Sequence, residues 1–130
     1  MRAATSVYLF QEDVRFFGEG PCRLLRGIQE YGSLRASAAN MQLSYSKAIA
    51  MMNRAEEVLG FSLTEKQIGG KGGGGSRLTP QAIAFLEKYE AYREACYETN
   101  RKLYLEFFSE QQKKASHSDR FAPCGQDDSI

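Results

Sequence analysis

The stretch GSLRASAANMQLSYSKAIAMMNRAEEVLG, residues 32–60, decides the local fold of this chain. Ser33 stands where a serine hydroxyl can cap a first helical turn, so the pattern predicts a short helix over Leu34–Met41. Ser44 predicts the start of a longer helix, which Gly60 ends because glycine readily adopts the left-handed conformation found after helices. Two helices joined by a tight turn are therefore expected here.

The longer of the two helices has two chemically different faces. Apolar side chains recur three and four residues apart, as on a helix that buries one side. These predicted buried positions are Ala48, Met51, Met52, Ala55, Val58 and Leu59. The predicted exposed face is polar, carries two cations and consists of Tyr45, Ser46, Lys47, Ala50, Asn53, Arg54 and Glu57.

The sequence continues with FSLTEKQ at 61–67 and IGGKGGGGSRLT at 68–79. Phe61–Thr64 alternates between apolar and polar residues, which predicts one strand. The glycines then form a loop, and Ser76–Leu78 forms the returning strand. Helix, turn, helix and hairpin in this order predict a winged helix-turn-helix.

The flanking segments complete the predicted fold. Ser6–Phe10 and Val14–Phe17 are short β-prone runs, and Pro21–Tyr31 has the apolar spacing of an amphipathic helix. Pro80 opens a last helix that meets no breaker before about Phe108. The predicted class is mainly α with small β: a winged helix-turn-helix with a short N-terminal β ribbon and a long C-terminal helix.

Length and composition limit how many domains the chain can form and where the protein is expected. The chain has 130 residues, which predicts one domain over 1–110 with a dimerisation helix at 80–108, followed by a disordered tail over 111–130. The N-terminus lacks a secretory apolar region, and no apolar run approaches the roughly 20 residues that span a bilayer, so the protein is expected in the cytoplasm. Its three cysteines form no CxxC pair and are expected to be reduced.

Charge is distributed unevenly along the chain. Between Gly20 and Pro80 there are eight basic and four acidic residues, whereas Gln81–Glu110 has four basic and six acidic residues. A basic region suits a polyanionic partner such as double-stranded DNA.

In a helix-turn-helix, the second helix enters the major groove while the first crosses the backbone. Small or apolar residues stand at the positions where such helices pack: Ala38, Met41, Leu43, Ala48 and Met51. Gln42 departs from the pattern, because the turn usually holds a glycine there. The turn is therefore expected to tolerate a side chain, and a plain three-helix unit remains the alternative interpretation.

Other chemistry is weakly supported. Residues 70–75 match GxGxxG literally, but no βαβ unit surrounds them and no helix follows at once, so nucleotide binding is disfavoured. The single His117 lies in the predicted tail, which leaves no base for a Ser/His or Cys/His arrangement. We expect no catalytic residues, no metal site, no cofactor and no enzymatic activity.

The predicted DNA-binding residues lie on the two helices of the motif and on the hairpin. Those on the helices read base edges or hold phosphates, and those on the hairpin grip the flanking backbone. They are Arg35, Ser44, Tyr45, Ser46, Lys47, Ala50, Arg54, Lys66, Gln67, Lys71 and Arg77.

The last helix carries a heptad-like pattern that predicts a homodimer seam. Two polar residues interrupt the seam, which argues against one continuous parallel coiled coil. The seam residues are Ala82, Leu86, Tyr89, Arg93, Cys96, Asn100, Leu103 and Phe107. The alternative function is a protein-interaction module that uses this helix to pair with another regulator.

Four segments together resemble a known family: Tyr31–Leu34, Leu43–Ala48, Met51–Asn53 and the glycine-rich GGKGGGGSRLT at 69–79. They are similar to the N-terminal DNA-binding domain of the molybdate-responsive, ModE-type transcriptional regulators, whose fold is related to the LysR-type winged helices. The resemblance covers about Val7–Tyr92, and the glycine-rich hairpin is its most specific part.

The resemblance implies operator binding by a dimer, in which the last helix and the N-terminal ribbon form the interface. It also implies a link to molybdenum or other metabolism. Ile49 departs from the family, which usually has tryptophan after the alanine matching Ala48. Only a predicted tail follows Phe108, where the family has molybdate-binding domains, so no direct molybdate binding is expected.

Overall fold

A computed structural model describes residues 1–67 and 75–113 of the chain. The chain divides into two compact units. The larger unit is Tyr8–Glu90, and the smaller one combines Met1–Val7 with residues from Ala91 onward. No helix of the described part is long and apolar enough to cross a lipid bilayer.

The order of elements matches the prediction. The two small sheets are antiparallel hairpins, β1–β2 and β3–β4. The elements are β1 (Leu9–Gln11), β2 (Val14–Phe17), α1 (Glu19–Tyr31), α2 (Leu34–Asn40), α3 (Tyr45–Leu59), β3 (Thr64–Gln67), β4 (Gly75–Leu78) and α4 (Pro80–Lys113). The winged helix-turn-helix with an N-terminal ribbon and a long last helix is confirmed.

The first wing strand was predicted in the wrong place, since Thr64–Gln67 pairs with β4 and most of Phe61–Thr64 does not. Leu63 explains the error, because its side chain is buried and its backbone is already engaged. Its N–H donates to Glu56 Oε2 at 2.8 Å, and its carbonyl accepts from Thr79 N at 3.0 Å. The apolar alternation at 61–63 therefore reports burial rather than strand pairing.

Other boundaries also differ from the prediction, and α1 begins at Glu19 rather than at Pro21. β1 spans Leu9–Gln11 rather than Ser6–Phe10, and its register shifts between Leu9 and Phe10. The last helix continues to Lys113, beyond the predicted end near Phe108. Residues 111–113 of the predicted disordered tail are helical, and the rest of that tail, 114–130, lies outside the described residues.

Local capping explains why the helices begin and end where they do. The hydroxyl of Ser33 accepts from Ala36 N at 3.0 Å, and that of Ser44 accepts from Lys47 N at 3.2 Å. These bonds satisfy backbone donors that a helix leaves unpaired in its first turn. Gly32 and Gly60 end α1 and α3 with φ of 89° and 83°, a conformation that favours glycine.

The core of the larger unit collects side chains from the hairpins and all four helices. Phe17 of β2 makes edge-on ring contacts with Phe85 and Tyr89 of α4, with centroids 4.8 and 4.9 Å apart. Such edge-on pairs add to the stability gained from burial. The buried apolar residues of this unit are Phe17, Cys22, Leu24, Leu25, Ile28, Ala38, Ala48, Met52, Ala55, Leu63, Leu78, Ala82, Leu86 and Tyr89.

Helices α1 and α2 cross closely where Gly27 meets Ser37. A Cβ on Gly27 would lie 2.0 Å from Ser37 Oγ, so only glycine fits there. The Ser37 hydroxyl is buried and donates to the carbonyl of Leu24 at 2.8 Å. The two small residues therefore let the helix backbones approach closely.

A polar contact joins α1 to α4 within the larger unit. Arg26 Nε donates to Glu90 Oε2 at 2.8 Å, and a second hydrogen bond joins Arg26 Nη2 to Glu90 Oε1. The hydrogen bonds to Glu90 raise the pKa of Arg26 above its ordinary value. The Cys22 thiol also contacts Glu90 Oε2, at 3.6 Å.

The predicted dimer seam requires a correction. Ala82, Leu86 and Tyr89 are 0%, 0% and 2% exposed within the single chain. These side chains complete the domain's own core, so they cannot also pack against a second chain while that core is intact. Their heptad-like spacing has an intramolecular cause.

The smaller unit contains the distal part of α4 and the N-terminal segment. Residues 1–5 and α4 residues including Tyr97 and Tyr104 line an open pocket of about 580 Å³. The rings of Tyr104 and Phe108 stack, with centroids 5.3 Å apart. On this part of α4, Leu103 is 48% and Phe107 60% exposed.

Candidate nucleic-acid interface

The turn between α2 and α3 is held by backbone hydrogen bonds to the end of α2. Leu43 N donates to Ala38 O at 2.9 Å, and Gln42 N donates to Ala39 O at 3.0 Å. Gln42 has φ of 57°, the left-handed conformation that glycine adopts most readily. The expectation that this turn holds a side chain at a glycine-type position is confirmed.

Helix α3 presents the predicted polar face. All seven residues of that face, Tyr45, Ser46, Lys47, Ala50, Asn53, Arg54 and Glu57, are exposed. The buried stripe is narrower than predicted: Ala48, Met52 and Ala55 are buried, whereas Met51, Val58 and Leu59 are only partly covered. The helix thus offers an outward surface with a short-chained N-terminal end, of a kind that fits against base edges.

The start of α3 is ordered by two local contacts. The Ser44 hydroxyl oxygen accepts a bond from Lys47 N, but its proton remains able to donate to a phosphate or base. Across the turn, the Arg35 guanidinium lies 4.0 Å from the centre of the Tyr45 ring. This cation–π contact brings two predicted site residues together and limits their freedom before a ligand arrives.

The base of the wing is anchored to the end of α1. Ser76 N donates to the carbonyl of Gly32 at 2.8 Å. A Cβ on Gly75 would lie 2.9 Å from that same oxygen, so glycine permits the close approach. The ladder then pairs Lys66 with Ser76 and Gln67 with Gly75.

The predicted DNA-binding residues in the described part of the wing are exposed. Lys66 and Gln67 project from β3, and Arg77 on β4 pairs with Glu65 through Nε and Oε2 at 2.9 Å. Such exposed pairs contribute about 1 kcal/mol or less, so a phosphate can compete for Arg77. Lys71, also predicted to bind DNA, lies outside the described residues.

The structure therefore brings some predicted site residues into contact and leaves others apart. Arg35 touches Tyr45, and Ser44 caps the turn that carries Lys47, whereas Lys66, Gln67 and Arg77 lie on a separate hairpin. Gly27 and Gly75, which help to position the site, were missed. Their smallness is visible in the sequence, but the partners that require it are not.

This arrangement of capped α2, tight turn, exposed α3 and antiparallel wing defines a winged helix-turn-helix domain. The solved structure of the CbnR_DBD–DNA complex contains a chain of the same fold. That chain aligns with a TM-score of 0.50 and 20% identity, over 75% of this chain and 97% of that one. No protein-family model matches the sequence.

Two curated regulators are similar in sequence. The Molybdenum transport protein ModE of Herbaspirillum seropedicae is 39% identical over 74 residues, which is 57% of this chain. The Transcriptional regulator ModE of Haemophilus influenzae is 37% identical over 68 residues, or 52% of this chain. The resemblance to ModE-type regulators is confirmed, although the matched region spans only 26% and 27% of those two proteins.

Proposed function

We propose that this chain binds double-stranded DNA sequence-specifically, as the DNA-binding part of a transcriptional regulator. The exposed face of α3, preceded by a tight turn and the capping Ser44, carries the proposal. The names of the ModE relatives and the presence of DNA in the CbnR_DBD–DNA complex support it.

In the proposed mechanism, α3 enters the major groove while α2 lies across the backbone. Side chains at the start of α3 and Arg54 contact base edges, which supplies sequence discrimination. Arg35 and the wing residues Lys66, Lys71 and Arg77 bind phosphates, which supplies affinity and register. Glu65 must release Arg77 for that contact, at the small cost of an exposed ion pair.

The first experiment selects genomic fragments that bind the purified chain and measures their affinity by mobility shift. Ser46→Ala and Arg54→Ala should each weaken operator binding by about 1–3 kcal/mol per lost base contact and reduce discrimination. Lys88→Ala, which removes an exposed cation on α4, is the matched control and should change neither property. Full operator discrimination by both α3 variants would show that α3 is not the reader.

We further propose that the chain forms a homodimer through the distal part of α4. Leu103 and Phe107 are 48% and 60% exposed and belong to the seam pattern that the sequence predicts. Large apolar side chains exposed on one helix commonly mark a protein contact. With the first three seam residues assigned to the core, the proposed interface reduces to Arg93, Cys96, Asn100, Leu103 and Phe107.

Sedimentation at micromolar concentration tests the dimer. The wild type should sediment as a dimer, and Leu103→Ser combined with Phe107→Ser should yield folded monomers. Glu106→Ser, at an exposed polar position of the same helix, should leave the dimer intact. A monomeric wild type would contradict the homodimer and favour the alternative, pairing with a different regulator.

The name of the Herbaspirillum seropedicae relative also suggests a link between the regulated genes and molybdenum. Genes adjoining the selected fragments should then serve molybdenum metabolism, and unrelated genes would contradict that link. We expect the 130-residue chain itself not to bind molybdate, because its clustered donors lie at the start of α3 and in the wing, where DNA is proposed to sit. Calorimetry with molybdate should show no saturable heat.

A further inference from the structure

A groove of about 330 Å³ lies beside the exposed face of α3. The β1–β2 hairpin contributes Tyr8 and Arg15 to its lining, the start of α1 contributes Glu19, and α3 contributes Met51 and Arg54. Arg54 belongs both to this groove and to the polar face of α3. The groove is therefore continuous with the proposed DNA-binding surface.

Arg15 makes a cation–π contact with Tyr8. Its guanidinium carbon lies 4.3 Å from the centre of the Tyr8 ring. The same ring lies against Gly18, where a Cβ would come within 2.6 Å of Tyr8 Cδ1. Gly18 has an extended backbone with φ of 175°, which any residue adopts, so glycine matters there for the space that it leaves to the Tyr8 ring. The Tyr8 ring thus packs against the backbone of Gly18, and Arg15 packs against the Tyr8 ring.

The charge and geometry of the groove suit a phosphate. Two arginines outnumber the single acidic residue in its lining, Glu19. The Arg15 guanidinium carries five N–H donors in a rigid planar fork. Such a fork binds phosphate oxygens through paired hydrogen bonds.

We propose that Arg15, positioned by Tyr8 and Gly18, is a further DNA contact that binds a backbone phosphate beside the bases addressed by α3. This inference rests on the proposed function and assigns the N-terminal ribbon a place on the DNA, whereas the family resemblance implies a place for it in the dimer interface. The phosphate backbone of the duplex is then bound by the wing and, separately, by the groove beside the β1–β2 hairpin. Because the contact is to phosphate, it contributes affinity equally for every sequence.

The experiment measures mobility-shift affinities over a series of salt concentrations for operator and non-operator duplexes. Arg15→Ala should lower the slope of log affinity against log salt by about one and weaken both duplexes by the same factor. Arg15→Lys should keep the wild-type slope because it keeps the charge. Lys88→Ala is again the control, and its slope should equal that of the wild type.

A second set of variants tests the positioning role. Tyr8→Leu should weaken binding less than Arg15→Ala, and the double variant should lose less affinity than the two single losses combined, because the residues act as a unit. Strictly additive losses would overturn the positioning by Tyr8. Circular dichroism melts should show that all variants remain folded, as expected for substitutions at these exposed residues.

Failure of this inference is distinguishable from failure of the proposed function. If the wild type binds DNA and Arg15→Ala keeps both slope and affinity, the phosphate contact is refuted while DNA binding stands. A loss confined to the operator would also overturn it, since it would indicate a base contact. If the wild type binds no duplex, the proposed function itself fails.

Discussion

The two parts of α4 differ in what covers them, although their sequence patterns are alike. Leu86, in the part that ends at Glu90, is 0% exposed, whereas Leu103, in the part that begins at Ala91, is 48% exposed. Both leucines belong to the same series of positions four and three residues apart. Spacing of this kind shows which side chains share a face of a helix, but not whether that face meets the chain's own core or a partner.

Substitution of the two leucines should give the largest contrast. Leu86→Ala removes a fully buried side chain and should lower the free energy of unfolding by about 2–5 kcal/mol, through lost burial and the cavity left behind. Leu103→Ala should change it by about 0.5 kcal/mol or less when measured at a protein concentration low enough for the chain to be monomeric. Denaturant unfolding followed by circular dichroism measures both. Similar losses at the two sites would contradict the difference in coverage.

The second contrast compares two glycines of α1. Gly27→Ala should cost about 1–3 kcal/mol, because the new Cβ would lie 2.0 Å from Ser37 Oγ in a close helix crossing. Gly20→Ala is the matched control, since its Cβ would lie 3.1 Å from Cε of the flexible Met51 side chain. It should be neutral or slightly stabilising, because alanine favours helix. Equal effects in thermal unfolding would mean that the α1–α2 crossing is looser than the contact with Ser37 indicates.

Two ion pairs that involve α4 provide a third contrast. Arg26 of α1 and Glu90 of α4 are 64 residues apart in sequence, whereas Glu98 and Arg101 are three residues apart on α4 itself. Glu90→Gln should lower the free energy of unfolding by about 1 kcal/mol, a modest loss because Arg26 is partly exposed. Glu98→Gln should produce no measurable change. Unfolding at low and high salt would show the Glu90 effect shrink with screening, and an effect confined to Glu98 would contradict this assignment.

The smallest expected effect on the free energy of unfolding comes from a position where backbone conformation matters rather than side-chain burial. Gln42 has φ of 57°, which is unfavourable for a residue with a Cβ. Gln42→Gly should relieve that strain, but glycine gains entropy in the unfolded chain, so the net stabilisation should be below about 1 kcal/mol. Gly60→Ala, which places a Cβ at φ of 83°, should change stability in the opposite direction. A destabilised Gln42→Gly variant in calorimetry would show that the glutamine side chain contributes more than its strain costs.

Much of the fold follows from local sequence alone. Ser33 and Ser44 cap helices, Gly32 and Gly60 end them, and the apolar spacing of α3 separates its buried and exposed sides. These features depend on residues within one or two turns of each other, so their chemistry is visible in the order of amino acids. The polar face of α3 was predictable for the same reason.

Only the tertiary structure shows which residues are constrained by contacts with residues distant in sequence. Position 27 needs glycine because Ser37 packs against it. Arg15 is positioned by Tyr8, which in turn packs against Gly18. The base of the wing is held by a hydrogen bond to the carbonyl of Gly32. The strand predicted from Phe61 begins only at Thr64, because the backbone groups of Leu63 bond to Glu56 and Thr79. Local pattern determined which faces and ends the helices have, but only packing, which brings distant residues within bonding distance, determined what each face meets.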